Sequence, residues 1–351
     1  MKKKLVLVTV VLMLIVYVLN AIRKMGVFRK IENNFEGEIL KQLNTPGDED
    51  ITIAYADSFA IISSTKRLVF PPQINEKGTM YYMDLKSGEF NLKELTTSII
   101  GPFAPHGISI VKVNDYYRIL VVNGKIDGHS IESFRFYNDS LIYDKTFTDA
   151  LMVSPNDVLA LDDSRFYFTN DHHFTTGLMR KLEEYLDLKI SGVVFFNGEK
   201  YQKSAYGMAF ANGINIDRKR NLIYVAASRD FLVKVYSLKG NGELEFIENI
   251  NVGTGVDNVE VDPSGMVWIA GHPNLLKLAS YEKGTNPKAI SPSEVVTLRY
   301  KGKGDYTIKK LFLNDGHKIS ASTVAAPFGD YILLGDLMDT KFLVLKQKHY
   351  N

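Results

Sequence analysis

Six short segments of the chain begin with a side chain that can bind a cation or carry a proton, and each then runs into apolar sequence. They are Glu49-Asp-Ile-Thr-Ile, His106-Gly-Ile-Ser-Ile, Asn156-Asp-Val-Leu-Ala, Asn212-Gly-Ile-Asn-Ile, Asp257-Asn-Val-Glu-Val and Ser322-Thr-Val-Ala-Ala. Brought to one place, the first residues would offer carboxylate, amide and hydroxyl oxygens beside a single imidazole. Such donors suit Ca2+, which accepts roughly six to eight oxygens in irregular geometry, better than zinc. An imidazole beside the cation can take a proton from water near neutral pH. Three segments open on doublets: Glu49-Asp50, Asn156-Asp157 and Asp257-Asn258. Neighbouring strand residues point to opposite faces, so the doublets offer two stacked sets of ligands. A single Asp or Asn at a strand start commonly forms only an Asx-turn, but three doublets in register favour ligation.

The spacing of these segments says what could hold them together. Their first residues stand 57, 50, 56, 45 and 65 apart, the period of propeller blades rather than of most helical repeats. If the first strand of each blade lines the axis, Glu49, His106, Asn156, Asn212, Asp257 and Ser322 meet at one end of a central tunnel. Turn chemistry repeats with them: Asp262-Pro-Ser-Gly265 fits a type I turn between two strands, and Asp162-Asp-Ser-Arg165 and Asp217-Arg-Lys-Arg220 fill the same slot elsewhere. The strands that follow, such as Phe166-Tyr-Phe-Thr169 and Leu222-Ile-Tyr-Val-Ala-Ala227, are continuous apolar runs, as stacked sheets require. Residues 175–188 differ. Leu178, Met179, Leu182, Tyr185 and Leu186 recur there at helical spacing, which predicts an amphipathic helix capping the propeller. The expected fold class is all-β, a six-bladed β-propeller with an N-terminal hydrophobic helix and a short capping helix. Trp268 is expected in a blade core, and His172 and His272 near the tunnel mouth in structural hydrogen bonds.

The chain of 351 residues is 45% hydrophobic and 23% charged, too apolar and too mixed in charge to be disordered. Residues 1–30 hold seven basic side chains and no acid, leaving the remainder with 35 basic against 40 acidic groups. A mildly acidic body argues against nucleic acid as a partner. The absence of cysteine excludes disulfides, thiol nucleophiles and Cys-ligated zinc. Residues 5–22 are apolar enough to cross or nearly cross a bilayer. A signal peptide is the alternative, although Tyr17-Val-Leu-Asn-Ala-Ile22 lacks a good small-residue cleavage pattern. The division expected is an anchor and basic stalk over 1–30 and a hydrolase propeller over 31–351, with the chain from 23 to 47 delivering the first blade.

Together, Gly47-Asp-Glu-Asp50, Pro105-His-Gly-Ile-Ser109, Pro155-Asn-Asp157, Thr169-Asn-Asp-His172, Phe210-Ala-Asn-Gly-Ile-Asn-Ile216, Val256-Asp-Asn258 and Gly271-His-Pro-Asn274 make the chain resemble the paraoxonase/arylesterase group of six-bladed propellers. The resemblance runs from residue 47 into the last blade. It implies two calcium ions: a catalytic one held by Glu49, Asn156, Asn212, Asp257 and Asn258, and a structural one held by Asp50, Asp157 and the Ile108 carbonyl. It also implies a hydrolase of lactones or aryl esters, with Ca2+ polarising the carbonyl. His106 matches the first histidine of the family's proposed pair and is the candidate general base, with Asp257 as the second candidate. The family's second histidine falls at Gly124, in Val121-Val-Asn-Gly124, and His129 aligns elsewhere. The alternatives are a gluconolactonase-type propeller, which would not require Asp50 and Asp157, and a calcium-stabilised binding propeller whose chemistry has decayed. The expected partners are a small lactone or ester and, through the N-terminal segment, a membrane. The expected place is a membrane surface outside the cytoplasm, periplasmic or extracellular, or else secretion.

Overall fold

Each of the six segments becomes the innermost strand of its own antiparallel sheet: Asp48–Ala54, Pro105–Val113, Pro155–Ala160, Ala211–Asp217, Gly255–Val261 and Ser322–Phe328. The computed structural model describes residues 2–67, 77–95, 101–125 and 128–348. From each inner strand the chain steps outward in sequence order, so blade 2 runs Pro105–Val113, Tyr116–Asn123, Ser130–Tyr137, Ser140–Phe147. The sixth blade is different. Its outermost strand is Gly37–Leu43, paired antiparallel with Phe342–Gln347, so the two ends of the body share one sheet and close the circle. Asn34–Phe35 adds to the edge of blade 5. Within the stretch from 23 to 47, Asn34–Phe35 and Gly37–Leu43 therefore belong to the ladders of two blades.

Apolar side chains on both faces of each sheet make the continuous runs seen in the sequence. They pack into six main clusters, one at each interface between neighbouring blades. Phe166 and Phe168 meet Leu120 and Val122 between blades 2 and 3, and Ile51 and Ile62 meet Val324 and Leu333 between blades 1 and 6. Trp268 lies between blades 5 and 6, with its Nε1 donating to Asp262 at 3.0 Å. With the core spread between the sheets, the axis is left to polar residues.

Among the described residues, three α-helices stand outside the blades. α1, Lys2–Lys24, contains an exposed apolar stretch of 19 residues with a mean hydropathy of 2.4, long and apolar enough to cross a membrane. α2, Gly177–Tyr185, is the expected capping helix, and Leu178, Met179 and Tyr185 remain exposed on it. α3, Leu275–Glu282, is a second cap that the sequence reading did not anticipate, with Asn274 at its start accepting from the Lys277 N–H at 3.0 Å. α2 and α3 both interrupt a blade between its second and third strands. That places them on the face where the inner strands begin.

Candidate active site at the mouth of the central tunnel

Every inner strand breaks register where its polar residues stand. The shifts fall at Asp48/Asp50, Pro105/Ile108, Pro155/Val158, Ala211/Ile214, Val256/Val259 and Ser322/Ala325. A bulge re-aims side chains, which is how two consecutive residues can both serve the lumen. The doublets of blades 1, 3 and 5 alternate with His106-Gly107 and Asn212-Gly213 in blades 2 and 4, and the glycines are a steric requirement. A Cβ at Gly107 would lie 2.5 Å from Asp157, and one at Gly213 would lie 2.6 Å from Asn258.

The structure gathers Glu49, His106, Asn156, Asn212 and Asp257 on the floor of a cavity of about 390 Å³, whose upper wall includes Phe210, Leu275, Leu278 and Ala279. Asn258 joins them from blade 5, its amide nitrogen donating to the Glu49 carbonyl and to Glu49 Oε1, both at 3.1 Å. The nitrogen of Asn212 donates to Asp257 Oδ1 at 2.6 Å and to Ser228 at 3.1 Å. With these amide nitrogens engaged, Oδ1 of Asn212 and of Asn258 is left buried without a hydrogen-bond partner, as are Asn156 Oδ1 and Glu49 Oε2. Three orphaned amide oxygens at one end of one tunnel, beside a Glu49 oxygen that His106 approaches, are costly unless something positive satisfies them. Among the described residues no trio of His, Asp and Glu is close enough to hold an ion. The donor set is mostly amide.

His106 Nδ1 lies 2.8 Å from Glu49 Oε2, an ion pair when the imidazole is protonated, and its ring is about a quarter exposed to the cavity. Burial pushes the Glu49 carboxyl up, but His106, Arg67 and Asn258 outweigh it and hold the group below its ordinary value. Arg67, which the sequence reading passed over, donates to the Gly47 carbonyl at 3.1 Å and the Pro105 carbonyl at 2.7 Å. Ser322, the expected sixth member of the ring, is wholly buried, with its N–H on Ser293 Oγ at 2.9 Å. It does not line the cavity; blade 6 contributes Leu337 instead.

The second members of two doublets sit deeper. Asp50 and Asp157 line a separate cavity of about 220 Å³ toward the other end of the tunnel, with Ile108, Asn215 and Glu260. Asp50 accepts the Ile108 N–H at 2.7 Å, and Asp157 accepts the Ile214 N–H at 2.7 Å, so each ties its blade to the next. Ile108 thus meets Asp50 through its amide. Burial raises both carboxyls well above their ordinary range, and Glu49 and Asp50, respectively, raise them further. Glu260, not singled out from sequence, is pushed up by burial and by Asp50, and accepts from Asn215 at 3.1 Å.

Two histidines answer acids at the mouth. His272 Nε2 lies 2.6 Å from Asp257 Oδ2, and His172 Nδ1 lies 2.6 Å from Asp171 Oδ1. Both rings are buried, and His272 and Asp171 line the cavity. Burial raises the Asp257 carboxyl, and His272 opposes it. Gly124 is the first residue after the ladder pair Asn123 and Ser130, and its N–H donates to the Ala104 carbonyl at 3.0 Å. Burial and His106 lower the His129 imidazole while Asp171 raises it, and its Nδ1 is buried without a partner.

Comparison with known proteins follows the same outline. The family model described as Arylesterase matches residues 28–344. Serum paraoxonase/arylesterase 2 of Gallus gallus is 33% identical over 308 residues, which cover 85% of each chain. Serum paraoxonase/lactonase 3 of Homo sapiens is 33% identical over 301 residues, covering 82% of this chain and 83% of that one. Among solved structures, a luciferin-regenerating enzyme superposes with a TM-score of 0.55 at 10% identity, over 90% of this chain and 96% of that one, a likeness of fold alone.

Proposed function

Because this chain belongs to the arylesterase family, we propose that the cavity above the ring is the active site of a calcium-dependent carboxylic ester hydrolase acting on lactones, aryl esters or both. The observation that carries the reading is the set of buried amide oxygens on Asn156, Asn212 and Asn258 that lack a hydrogen-bond partner, beside the Glu49 carboxylate at a cavity with an apolar upper wall. Those residues fit a hard cation, and with Asp257 they would hold the catalytic calcium. Bound there, the ion supplies polarisation of a carbonyl and stabilisation of negative charge on its oxygen.

The protein's own groups do the rest. The apolar wall receives the carbon skeleton and the polar floor orients the carbonyl. His106, about a quarter exposed to the cavity and 2.8 Å from Glu49 Oε2, takes a proton from the attacking water, and the Glu49 carboxylate stabilises the imidazolium that forms. Asp257 is the weaker candidate base, because its oxygens are engaged by Asn212 and His272. The same reading gives Asp50, Asp157 and Ile108 a second, structural calcium. It would relieve the mutual repulsion of carboxyls buried along the tunnel. We take residues 1–30 as anchor and stalk and 31–351 as the catalytic body, held at a membrane outside the cytoplasm by α1. Gly124 favours one other reading, a calcium-stabilised propeller that binds without turnover. Hydrolysis of a panel of lactones and phenyl esters, with and without added Ca2+, separates the two: turnover that follows Ca2+ supports the enzyme, and tight calcium binding with no turnover supports the binding protein.

A further inference from the structure

The turn that follows α1 is part of the cavity wall. α1 ends at Lys24, and the next residue, Met25, lines the cavity above the ring together with Leu275 and Leu278. The turn is fixed at three points. The Met25 carbonyl accepts the N–H of Leu275, the first residue of α3, at 3.0 Å. Gly26, at φ 74°, sits so close to blade 5 that a Cβ there would stand 2.0 Å from the Pro273 carbonyl oxygen, so only glycine lets the turn settle. Arg29 then forks onto Glu294: Nη1 donates to Oε2 at 2.6 Å and to the Gly253 carbonyl at 3.0 Å, while Nη2 donates to Oε1. Glu294 is wholly buried, so losing either partner would strand a charge in the protein.

From this geometry we infer that Met25 is a specificity-determining residue for the alkyl part of the substrate, held in place by the Arg29–Glu294 clamp. The inference rests on the cavity being the active site. An unbranched, polarisable thioether beside Leu275 and Leu278 suits a carbon chain better than a polar group. A short acyl group offers far less carbon surface to such a wall than a long one. The anchor thereby becomes part of the specificity machinery, and a body cut free between Lys24 and Lys30 would keep the ring but lose one wall.

The test uses the full chain in detergent micelles, with phenyl acetate and phenyl octanoate as probes. Met25→Ala is expected to lower kcat/KM for the octanoate about tenfold, a loss of one or two methylenes' worth of contact, and to leave the acetate within about twofold. Equal effects on both esters, or none, would overturn the assignment. Because the native chain has no cysteine, a second measurement needs no turnover. The thiol of Met25→Cys should react with N-ethylmaleimide about tenfold more slowly than that of Lys30→Cys, an exposed site, and octanoate should slow it further. Equal rates in both variants would overturn the docked wall. If neither ester is hydrolysed while octanoate still shields Met25→Cys, the wall stands and only the catalytic reading falls.

Discussion

His272 Nε2 lies 2.6 Å from Asp257 Oδ2, and both side chains are buried. The other Asp257 oxygen takes the Asn212 amide at 2.6 Å. The imidazole therefore fixes how the carboxylate is presented to the ring. Partners of this kind are worth about 10–100-fold in metal affinity or activity. His272→Ala is expected to weaken Ca2+ binding by that factor in calorimetric titration. An unchanged affinity would place Asp257 outside the ligand set.

Chelation should act on activity and stability together. Calcium that binds only the folded protein adds about 3 kcal/mol at a hundredfold excess over Kd, so excess EDTA should lower Tm by several degrees. Asn212→Ala, which removes a partnerless oxygen, should cost activity before stability. Asp157→Ala should do the reverse, because it abandons the buried N–H groups of Val158 and Ile214, at about 1–3 kcal/mol each. Equal melting curves for Asp157→Ala and the native protein would contradict this division of labour.

General-base assistance is typically worth about 10²–10⁴-fold. His106→Gln should accordingly lower kcat/KM for lactones at least about tenfold, and a loss of less than about twofold would move the base elsewhere. At Gly124 an added Cβ would meet, among the described residues, only the Ala104 carbonyl, at an ordinary 3.7 Å, so Gly124→His can start its side chain without a backbone clash. It is expected to raise aryl-ester turnover more than lactone turnover, since the unstrained ester depends more on a well-placed base. Parallel rates on both substrates would show that a second imidazole adds nothing here.

If α1 stays attached, the protein should sediment with membranes and resist extraction by high salt, because apolar insertion is not screened. Recovery of a soluble chain beginning near residue 22 would show a cleaved signal instead.

The inner strands were legible in the sequence because each carries its polar residue at a blade's spacing and ahead of an apolar run. The doublets Glu49-Asp50 and Asn156-Asp157 gave both depths of the tunnel. Other features had no local signal. Gly37–Leu43 is a largely exposed edge strand of mixed composition, so nothing in it announces that it closes blade 6. α3 spans only 8 residues after Gly-His-Pro, too short for helical periodicity to stand out. The contacts of Arg67 and Glu260 depend on how blades meet, which spacing does not encode. Ser322 had the right position and the wrong surroundings: packed against Ser293, it is shut out of the cavity.

The most direct test of the account is hydrolysis by EDTA-treated full-length protein. Phenyl acetate and a series of lactones should be left intact by the metal-free protein and cleaved once Ca2+ is restored, while Asn212→Ala with the same Ca2+ stays slow. Full activity without metal, or a calcium-loaded native protein inactive on every ester and lactone, would contradict a calcium-dependent hydrolase at this ring.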